Sequence, residues 1–282
     1  MLRAAIVGLG WCGRTLLRLL ERNAAIAPVA VCDLDRTLAE RLASGTGARA
    51  DALRAVSACE ANKIVLGIGH ERRFEPPILE LRRLYESGAL GKALQVDANF
   101  SQDKFLALPE GNWRLSAADA PAGPLTATGI HLLDLAVSLL GPTERVYATV
   151  RQLGSALVNG DALAILAQFG SGAAALVSAM LAAPFEGRFA LYGSHGWAEV
   201  RDKSHPESPT GWALTVGERG KPRAVREFEP ASAVLANLEA FARAAAGGAP
   251  YPVPHAQMLD TVALLEATVA SARSGQIARV AH

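Results

Sequence analysis

The chain is short of cysteine and of net charge. Its 282 residues include three cysteines, Cys12, Cys32 and Cys59, and 28 basic against 27 acidic side chains. The cysteines lie inside apparent helices or strands without C-x-x-C spacing, which indicates buried thiols in a cytosolic protein rather than a disulfide framework. The balanced charge provides no field that would attract nucleic acid or an anionic membrane. We therefore expect a cytoplasmic protein that binds neither.

The sequence also lacks the signals of export, of disorder and of a metal centre. Its first apolar stretch is interrupted by Gly8, Gly10 and Arg14, unlike the continuous apolar region of a signal peptide. Half of the residues are hydrophobic, which allows a substantial core and argues against disorder. No group of histidines, cysteines or carboxylates has the spacing of metal ligands, so we expect no metal.

One stretch without charge could be mistaken for a membrane span. Residues 162–185 carry no charged side chain and are long enough to cross a bilayer. Gly170-Ser171-Gly172 divides the stretch into two runs of strand length. The pattern therefore predicts a buried antiparallel hairpin.

The N-terminal residues contain a glycine motif that is typical of a dinucleotide site. A short apolar strand leads directly into Gly8, Gly10 and Gly13, which have G-x-G-x-x-G spacing. In this motif the glycines allow a tight turn, close approach of the backbone to a pyrophosphate, and close packing of helix on strand. The following helix then presents its first N–H groups, at Trp11, Cys12 and Gly13, to the phosphates. The alternative is a βα turn whose glycines are purely structural.

An acidic residue in the next strand extends this pattern. Asp33 ends the apolar run that begins at Pro28. A carboxylate there can accept both ribose hydroxyls of NAD and would repel the 2′-phosphate of NADP. Arg36 is close enough in sequence that NADP stays an alternative. The predicted cofactor is therefore NAD or NADP.

The order of elements predicts two kinds of sheet. Strand 3–8, helix 11–21, strand 28–33 and helix 36–44 make a βαβα beginning, and helix 51–61 and the apolar strand 63–68 follow; together these predict a parallel, doubly wound sheet. A helix should then run from Pro76-Pro77 to Glu86. After Gly91 we expect an antiparallel sheet, interrupted by one helix and closed by two more. Its strands should lie near 93–101, 144–152, 161–169, 172–181, 188–193, 197–201 and 211–216, and its helices near 129–140, 232–246 and 255–273.

The predicted fold is thus a shortened Rossmann-like parallel sheet followed by a mostly antiparallel, open-sheet α+β domain. We place the truncated dinucleotide-binding domain at residues 1–74. Residues 75–282 form the substrate and oligomerisation domain, whose terminal helices pack back toward the first domain.

Several short motifs occur in a fixed order along the chain. They are Gly8–Gly13, Arg73-Phe74 before the Pro-Pro helix, the turn Ser87–Lys92, Trp113-Arg114, and Gly129-Ile130-His131 with Asp134. In that order they resemble the Gfo/Idh/MocA family of NAD(P)-dependent oxidoreductases, and the resemblance covers nearly the whole chain. It implies that a small sugar, polyol or related substrate binds between the two domains beside the nicotinamide. It also implies a homo-oligomer formed through the open sheet, to which the apolar strands around 162–181 would contribute.

The resemblance assigns His131 as the acid/base or substrate ligand and directs Arg114, which follows Trp113, to the substrate. The Thr128 hydroxyl could bind a substrate oxygen, and we expect Trp113, Arg114, Thr128 and Asp134 to be substrate-binding residues. An imidazole titrates near neutral pH, and a helix start can hold it toward a cleft. Asp134, at i+3, could share that face. The alternatives are that His131 only begins a helix, that Asp134 is a solvated or capping acid, and that Arg114 packs its stem on Trp113.

The chain departs from the family pattern in two ways. The position four residues before His131 is usually aspartate in the family but is Ala127 here. The Glu-Lys-Pro segment, whose lysine lies beside nicotinamide and substrate in the family, is absent. Gly220-Lys221-Pro222 lies in a polar turn and is no substitute, while Lys92 and Lys104 are the lysines nearest the predicted cleft.

The missing lysine belongs to a missing block. Near residue 50 the sequence passes directly to the helix before the last Rossmann strand, so on the order of 60 residues are absent at roughly 30 residues per βα unit. The deletion would leave unpaired backbone groups unless the sheet re-closes or a partner covers the edge; the third alternative is a damaged or misrecorded sequence. Two functions follow: an NAD(P)-dependent oxidoreductase, or a non-catalytic remnant that serves as an oligomeric binding module.

Overall fold

The structure, a computed structural model, describes residues 2–7, 19–20, 26–32 and 48–281. Within the first part, strands β1 (Leu2–Val7) and β2 (Ile26–Cys32) pair in parallel, as predicted. The register places Val7 opposite Cys32, so the carboxyl ends of the two strands lie side by side. The predicted helix 36–44 and most of helix 11–21 lie outside the described residues. So do the predicted cofactor ligands Gly8, Gly10, Trp11, Cys12, Gly13, Asp33 and Arg36.

The predicted strand at 63–68 is wrong. Helix α1 (Ala48–Ala61) is followed by an irregular segment that reaches His70. Side chains from the C-terminal part of the chain hold this segment: Asn237 Nδ2 donates to the Ile68 carbonyl at 2.8 Å, and the Ile68 N–H donates to the Tyr251 hydroxyl at 3.3 Å. The backbone groups of Ile68 are thus satisfied by side chains instead of a neighbouring strand.

The rest of the described chain is built on a nine-stranded sheet in the order β10-β9-β8-β7-β3-β6-β5-β4-β11. Only β3 and β6 pair in parallel, and the other neighbours are antiparallel. The sheet confirms the predicted fold class, and the pairing of β5 with β6 confirms the hairpin within 162–185. The strands are β3 (Ala93–Ser101), β4 (Thr143–Arg151), β5 (Ala162–Phe169), β6 (Ala174–Met180), β7 (Glu186–Gly193), β8 (Gly196–Asp202), β9 (Trp212–Glu218), β10 (Ala224–Phe228) and β11 (Ala278–Arg279).

The sequence prediction missed the two edge strands of this sheet. Strand β10 is almost wholly exposed and carries two charged residues in five, so it has no apolar alternation to detect. Strand β11 is two residues long. Both strands exist because a neighbouring strand offers hydrogen-bonding groups, which no pattern inside the segment reveals.

In β5 and β6 the sheet buries one face and leaves the other largely exposed. Along β5, Leu163, Ile165, Ala167 and Phe169 are buried, and the residues between them are exposed, as expected of a sheet with one covered face. Helices cover the buried face: every residue of α3 (Ile130–Leu140) from Leu132 onward is buried. The remaining helices are α2 (Pro76–Glu86), α4 (Ala233–Ala245) and α5 (His255–Ser274).

The C-terminal helices join the N-terminal part of the described chain to the large sheet. Helix α5 packs against α3, α1 and β4, and α4 packs against the 3₁₀ turn Glu71–Phe74. None of the helices formed by the described residues is long and apolar enough to cross a membrane.

A short π-helical turn, Leu125–Gly129, precedes α3 and makes the helical segment start earlier than predicted. Gly129 has no side chain to separate this turn from β5, since a Cβ there would lie 3.1 Å from a Leu163 methyl group. Turns of this kind often occur at functional sites. Here the turn places Thr126, Ala127 and His131 along one wall of a cavity.

Candidate functional site

A cavity of about 410 Å³ lies between the start of α3, the end of β3 and the segments that follow β3 and β8. Apolar and aromatic side chains form much of its wall, and a few polar groups converge on it. This combination is typical of a small-molecule site. The polar lining includes Gln102, Lys104, Arg114, His131, His205 and Glu207.

The structure brings three of the five predicted catalytic and substrate-binding residues together on this wall: His131, Trp113 and Arg114. The Arg114 guanidinium lies 4.6 Å from the centre of the Trp113 ring. The other two residues, Thr128 and Asp134, are 1% exposed and do not line the cavity. Thr128 instead directs its hydroxyl to the carbonyl oxygens of Phe100, at 2.9 Å, and Pro124, at 3.1 Å.

The His131 side chain lines the cavity. Its Nδ1 atom is buried and has no hydrogen-bond partner in the described structure. Because the ring lines the cavity, Nε2 is the nitrogen through which it can meet a ligand. A neutral imidazole can use that atom to take a proton from a hydroxyl or to return one to a carbonyl oxygen.

A second histidine, His70, lies beside His131 and was not among the predicted site residues. The two ring centroids are 5.7 Å apart and the ring planes meet at 85°. Burial lowers the pKa of His70, although Asp134 opposes that effect. No spacing rule relates position 70 to position 131, so only the tertiary structure reveals this contact.

Asp134 forms a buried ion pair with Arg73. Arg73 Nε and Nη2 each donate to a different Asp134 carboxylate oxygen at 2.6 Å. Thr261 on α5 donates to the same carboxylate at 3.3 Å, and Gln257 accepts from Arg73 Nη1. This bidentate pair joins the 3₁₀ turn Glu71–Phe74 to α3 and α5.

The segment after β3 carries the cavity's lysine, and side chains from the segment after β8 bind it. Lys104 Nζ donates to His205 Nδ1 at 3.1 Å and to Glu207 at 2.5 Å, and His205 Nε2 donates to the Gln102 side-chain oxygen at 2.8 Å. These partners favour the Nε2–H tautomer of His205. Burial lowers the pKa of His205, and the Lys104 charge lowers it further, so this ring is a neutral part of the wall near pH 7.

A buried charge cluster supports the floor of the cavity. Arg72 donates to Asp202 at 2.7 and 2.9 Å and to Glu75 at 3.1 Å, and all three side chains are at most 2% exposed. Its guanidinium lies 5.3 Å from the ring centre of Phe100, which lines the cavity. Gly187 leaves room for the cluster, since a Cβ there would lie 1.9 Å from an Asp202 oxygen.

This cluster makes stability depend on pH. Burial raises the pKa of Glu75 to about 8, against the opposing effect of Arg72. The folded chain therefore keeps this proton at pH values where the unfolded chain has lost it, and the free energy of unfolding should fall between about pH 4.5 and 8. Glu75→Gln mimics the protonated form. We expect the variant to gain stability relative to the parent as pH rises through this range.

Urea unfolding at about pH 6 and about pH 8.5 checks this expectation. Glu86→Gln is the matched control, because Glu86 is 62% exposed and its partner Arg82 lies 3.6 Å away. An equal stability difference between Glu75→Gln and the parent at both pH values would contradict the assignment.

The segment that carries Trp113 and Arg114 is tied to the body of the protein by Asn159. Its Nδ2 donates to the carbonyl oxygens of Arg114, at 2.8 Å, and Ala120, at 3.0 Å. Gly123 permits the contact, because a Cβ at that position would lie 2.8–2.9 Å from the Asn159 amide atoms. Asn159 thus fixes the position of this cavity wall.

Comparison with known proteins agrees with this architecture. A model of the GFO/IDH/MocA C-terminal domain matches residues 78–199. The rhizopine catabolism protein MocA of Rhizobium meliloti is 30% identical over 237 residues, which cover 81% of this chain and 65% of that protein. Residues 78–199 are thus similar to the C-terminal domain of the Gfo/Idh/MocA oxidoreductases, and most of the chain is similar to MocA itself.

Two further similarities extend the comparison. D-xylose 1-dehydrogenase (NADP(+)) 2 of Haloferax volcanii is 28% identical over 77% of this chain and 65% of its own length. The crystal structure of the aldose-aldose oxidoreductase from Caulobacter crescentus, complexed with glycerol, superposes with a TM-score of 0.77 and 21% identity over 99% of both chains. The matches to MocA and the xylose dehydrogenase each span slightly less than two thirds of the relative's length.

Proposed function

We propose that this protein is an NAD(P)-dependent oxidoreductase that acts on the CH–OH group of a small sugar or polyol, or on the related carbonyl compound. The observation that carries the proposal is His131, whose ring lines a cavity of about 410 Å³ together with Trp113 and Arg114 and whose Nδ1 atom is buried without a hydrogen-bond partner in the described structure. Relatives named as MocA and as a xylose dehydrogenase support the reaction class. They favour it over the non-catalytic remnant.

The parallel strands β1 and β2 fit a dinucleotide site in the position of their carboxyl ends. The pairing of Val7 with Cys32 places the two strand ends side by side, and these ends lead in sequence to the glycine motif and to Asp33. Phosphate and ribose ligands are expected at the carboxyl end of such a parallel pair. The residues proposed to hold NAD or NADP are Gly8, Gly10, Trp11, Cys12, Gly13, Asp33 and Arg36.

The proposed chemistry divides between cofactor and protein. When bound, the nicotinamide supplies the acceptor or donor of the hydride. His131 Nε2 takes the hydroxyl proton as the carbinol is oxidised, and returns a proton to the oxygen in the reverse direction. Trp113 and Arg114 position the substrate, whereas Thr128 and Asp134 are buried and do not line the cavity. The sequence has no Glu-Lys-Pro segment. Among the residues that line the described cavity, the lysine is Lys104.

Cofactor binding is the direct test. We expect titration with NADH and with NADPH to give saturable changes in cofactor fluorescence and a rise in melting temperature with at least one of them, because a ligand that binds only the folded state stabilises it. Asp33→Asn should weaken NADH binding more than NADPH binding, since the carboxylate favours a free ribose 2′-hydroxyl. Absence of binding by both at millimolar concentration would overturn the proposal.

The proposal includes a homo-oligomer formed through the exposed face of the large sheet. Tyr147, Leu166 and Leu176 are cross-strand neighbours on β4, β5 and β6, and each is 41–42% exposed. An apolar row on a flat surface favours association with a second copy of the chain. In this proposal residues 75–282 form the oligomerisation domain of a cytoplasmic enzyme.

Light scattering after size exclusion tests the oligomer. Leu166→Glu should dissociate it, because the carboxylate would be buried without a partner in the interface. Leu153→Glu is the matched control, since Leu153 is 77% exposed in a loop away from this row. A monomeric parent protein, or an unchanged mass for Leu166→Glu, would contradict the assignment.

A further inference from the structure

His70 and His131 make a contact that the proposed chemistry does not yet use. The residues lie on different elements, one before the 3₁₀ turn Glu71–Phe74 and one at the start of α3, and their rings form a T-shaped pair 5.7 Å apart. His70 is 9% exposed. The Nδ1 atoms of both rings are buried without a hydrogen-bond partner in the described structure.

No hydrogen bond in the described structure orients the His131 ring. Asp134, one helical turn away, directs both carboxylate oxygens to Arg73. Position 127, where a carboxylate would otherwise be expected, is alanine. The aromatic contact with His70 is therefore the interaction available to fix the plane of the His131 ring.

We propose that His70 is a positioning residue, whose uncharged ring holds the His131 imidazole in place and accommodates the positive charge that forms when His131 takes a proton. The proposal rests on the proposed function for its kinetic consequence, but its structural consequence can be measured without substrate or cofactor. In this role His70 acts on His131 and does not touch the substrate.

The groups that face His70 keep its ring neutral. Burial is the largest effect and lowers its pKa, while Asp134, with an oxygen 3.9 Å from Nε2, raises it. His131 and Arg73 lower it, and Glu71 raises it. Arg73 binds the Asp134 carboxylate in a bidentate pair and offsets its negative charge. The carboxylate therefore does little to stabilise a protonated His70.

A neutral ring is the favourable neighbour for a histidine that must gain charge. A neutral ring adds no positive charge beside the imidazolium, whereas a second imidazolium at the same distance would repel it. Loss of the ring would leave space in which the His131 ring could rotate. A displacement of about 1 Å at a reacting group can cost on the order of 10²-fold in rate.

Three substitutions separate the possible roles of His70. His70→Phe keeps an aromatic ring and removes both nitrogens, His70→Ala removes the ring, and His70→Asn keeps a polar group without a ring. The first readout is the ¹H–¹³C NMR signal of the His131 ring, followed over pH in the cofactor-free protein and assigned by its absence in His131→Asn. We expect one native-like signal in His70→Phe, and a shifted or broadened signal in His70→Ala and His70→Asn.

The second readout is steady-state oxidation of D-xylose with NADP⁺ as a function of pH. His70→Ala and His70→Asn should lower kcat by about 10- to 100-fold with little change in KM. His70→Phe should retain kcat close to the parent value and the same pH profile. Circular dichroism checks that each variant is folded, and the phenylalanine variant keeps the test decisive if the alanine variant does not fold.

Each result supports or overturns the proposal. A native His131 signal in His70→Ala, with only a lower melting temperature, would show that His70 merely fills space. A native His131 signal in His70→Phe with the kcat of His70→Ala would show that the nitrogens carry protons, and the positioning role would be wrong. If the parent protein does not turn over D-xylose, the NMR result alone decides the role of His70, and the proposed function fails separately.

Discussion

His131→Ala should reduce kcat by about 10²–10⁴-fold, the range that a positioned general acid or base contributes. The His131 imidazole lines the cavity, and its Nδ1 atom is buried without a hydrogen-bond partner in the described structure. Nε2 is therefore the ring nitrogen that we expect to meet the substrate. Alanine cannot take the hydroxyl proton, so the alkoxide character needed for hydride departure would develop without stabilisation. KM should change much less than kcat, because the interaction is made mainly in the transition state.

The measurement is steady-state kinetics with the sugar and cofactor that the binding titrations select. His195→Ala is the matched control, because His195 is exposed and lines a different surface depression. His131→Asn serves as a second variant that keeps polarity without an imidazole. Full activity of both His131 variants would remove this residue from the chemistry and leave the cavity as a binding site alone.

Breaking the Arg73–Asp134 pair should have the largest effect on stability. The side chains are 6% and 1% exposed and make two contacts of 2.6 Å. Asp134→Leu leaves the Arg73 guanidinium buried without a counter-charge, and removing one partner of a buried pair typically costs about 3–5 kcal/mol. The pair also joins α3 to the turn that precedes α2, so its loss should loosen the segment that carries His70.

Urea unfolding of Asp134→Leu, Arg73→Met and the double variant tests this expectation. The double variant should recover most of the stability, because two apolar side chains can replace a buried ion pair at little net cost. Glu239→Gln is the matched control: the Arg243–Glu239 pair is exposed, at 3.9 Å, and such pairs contribute little. A loss of less than about 1 kcal/mol in the free energy of unfolding for Asp134→Leu would contradict this expectation, because water would then be solvating the Arg73 guanidinium in place of the carboxylate.

Much of the fold could be predicted from local pattern. The alternation in β5 and the Gly170-Ser171-Gly172 break predicted the hairpin, and Pro76-Pro77 predicted the start of α2, because in each case the signal lies inside the element. The apolar run at 63–68 predicts a strand that the structure does not form. An apolar run of strand length forms a strand only where a neighbouring strand supplies hydrogen-bonding groups, and here Asn237 and Tyr251 bind Ile68 instead.

The candidate site also has features that the sequence predicts and others that only the tertiary structure shows. A histidine at a helix start and a Trp-Arg pair are visible in the sequence, and the structure brings His131, Trp113 and Arg114 to one cavity. The i+3 spacing of Asp134 from His131 predicts that both side chains face the substrate. Arg73, 61 positions away, binds Asp134 in the interior instead.

The sequence by itself determined the class of fold and the resemblance to the Gfo/Idh/MocA oxidoreductases, and it singled out His131 as the candidate acid/base, since strand alternation, helix boundaries and short motifs are local properties of the chain. Tertiary structure alone decided which side chains meet. It placed His70 against His131, Arg73 against Asp134 and Arg72 between Glu75 and Asp202, and it committed the Thr128 hydroxyl to the backbone. Buried charges and hydrogen-bonding groups must find partners wherever packing brings them, and those partners come from elements that are distant in sequence.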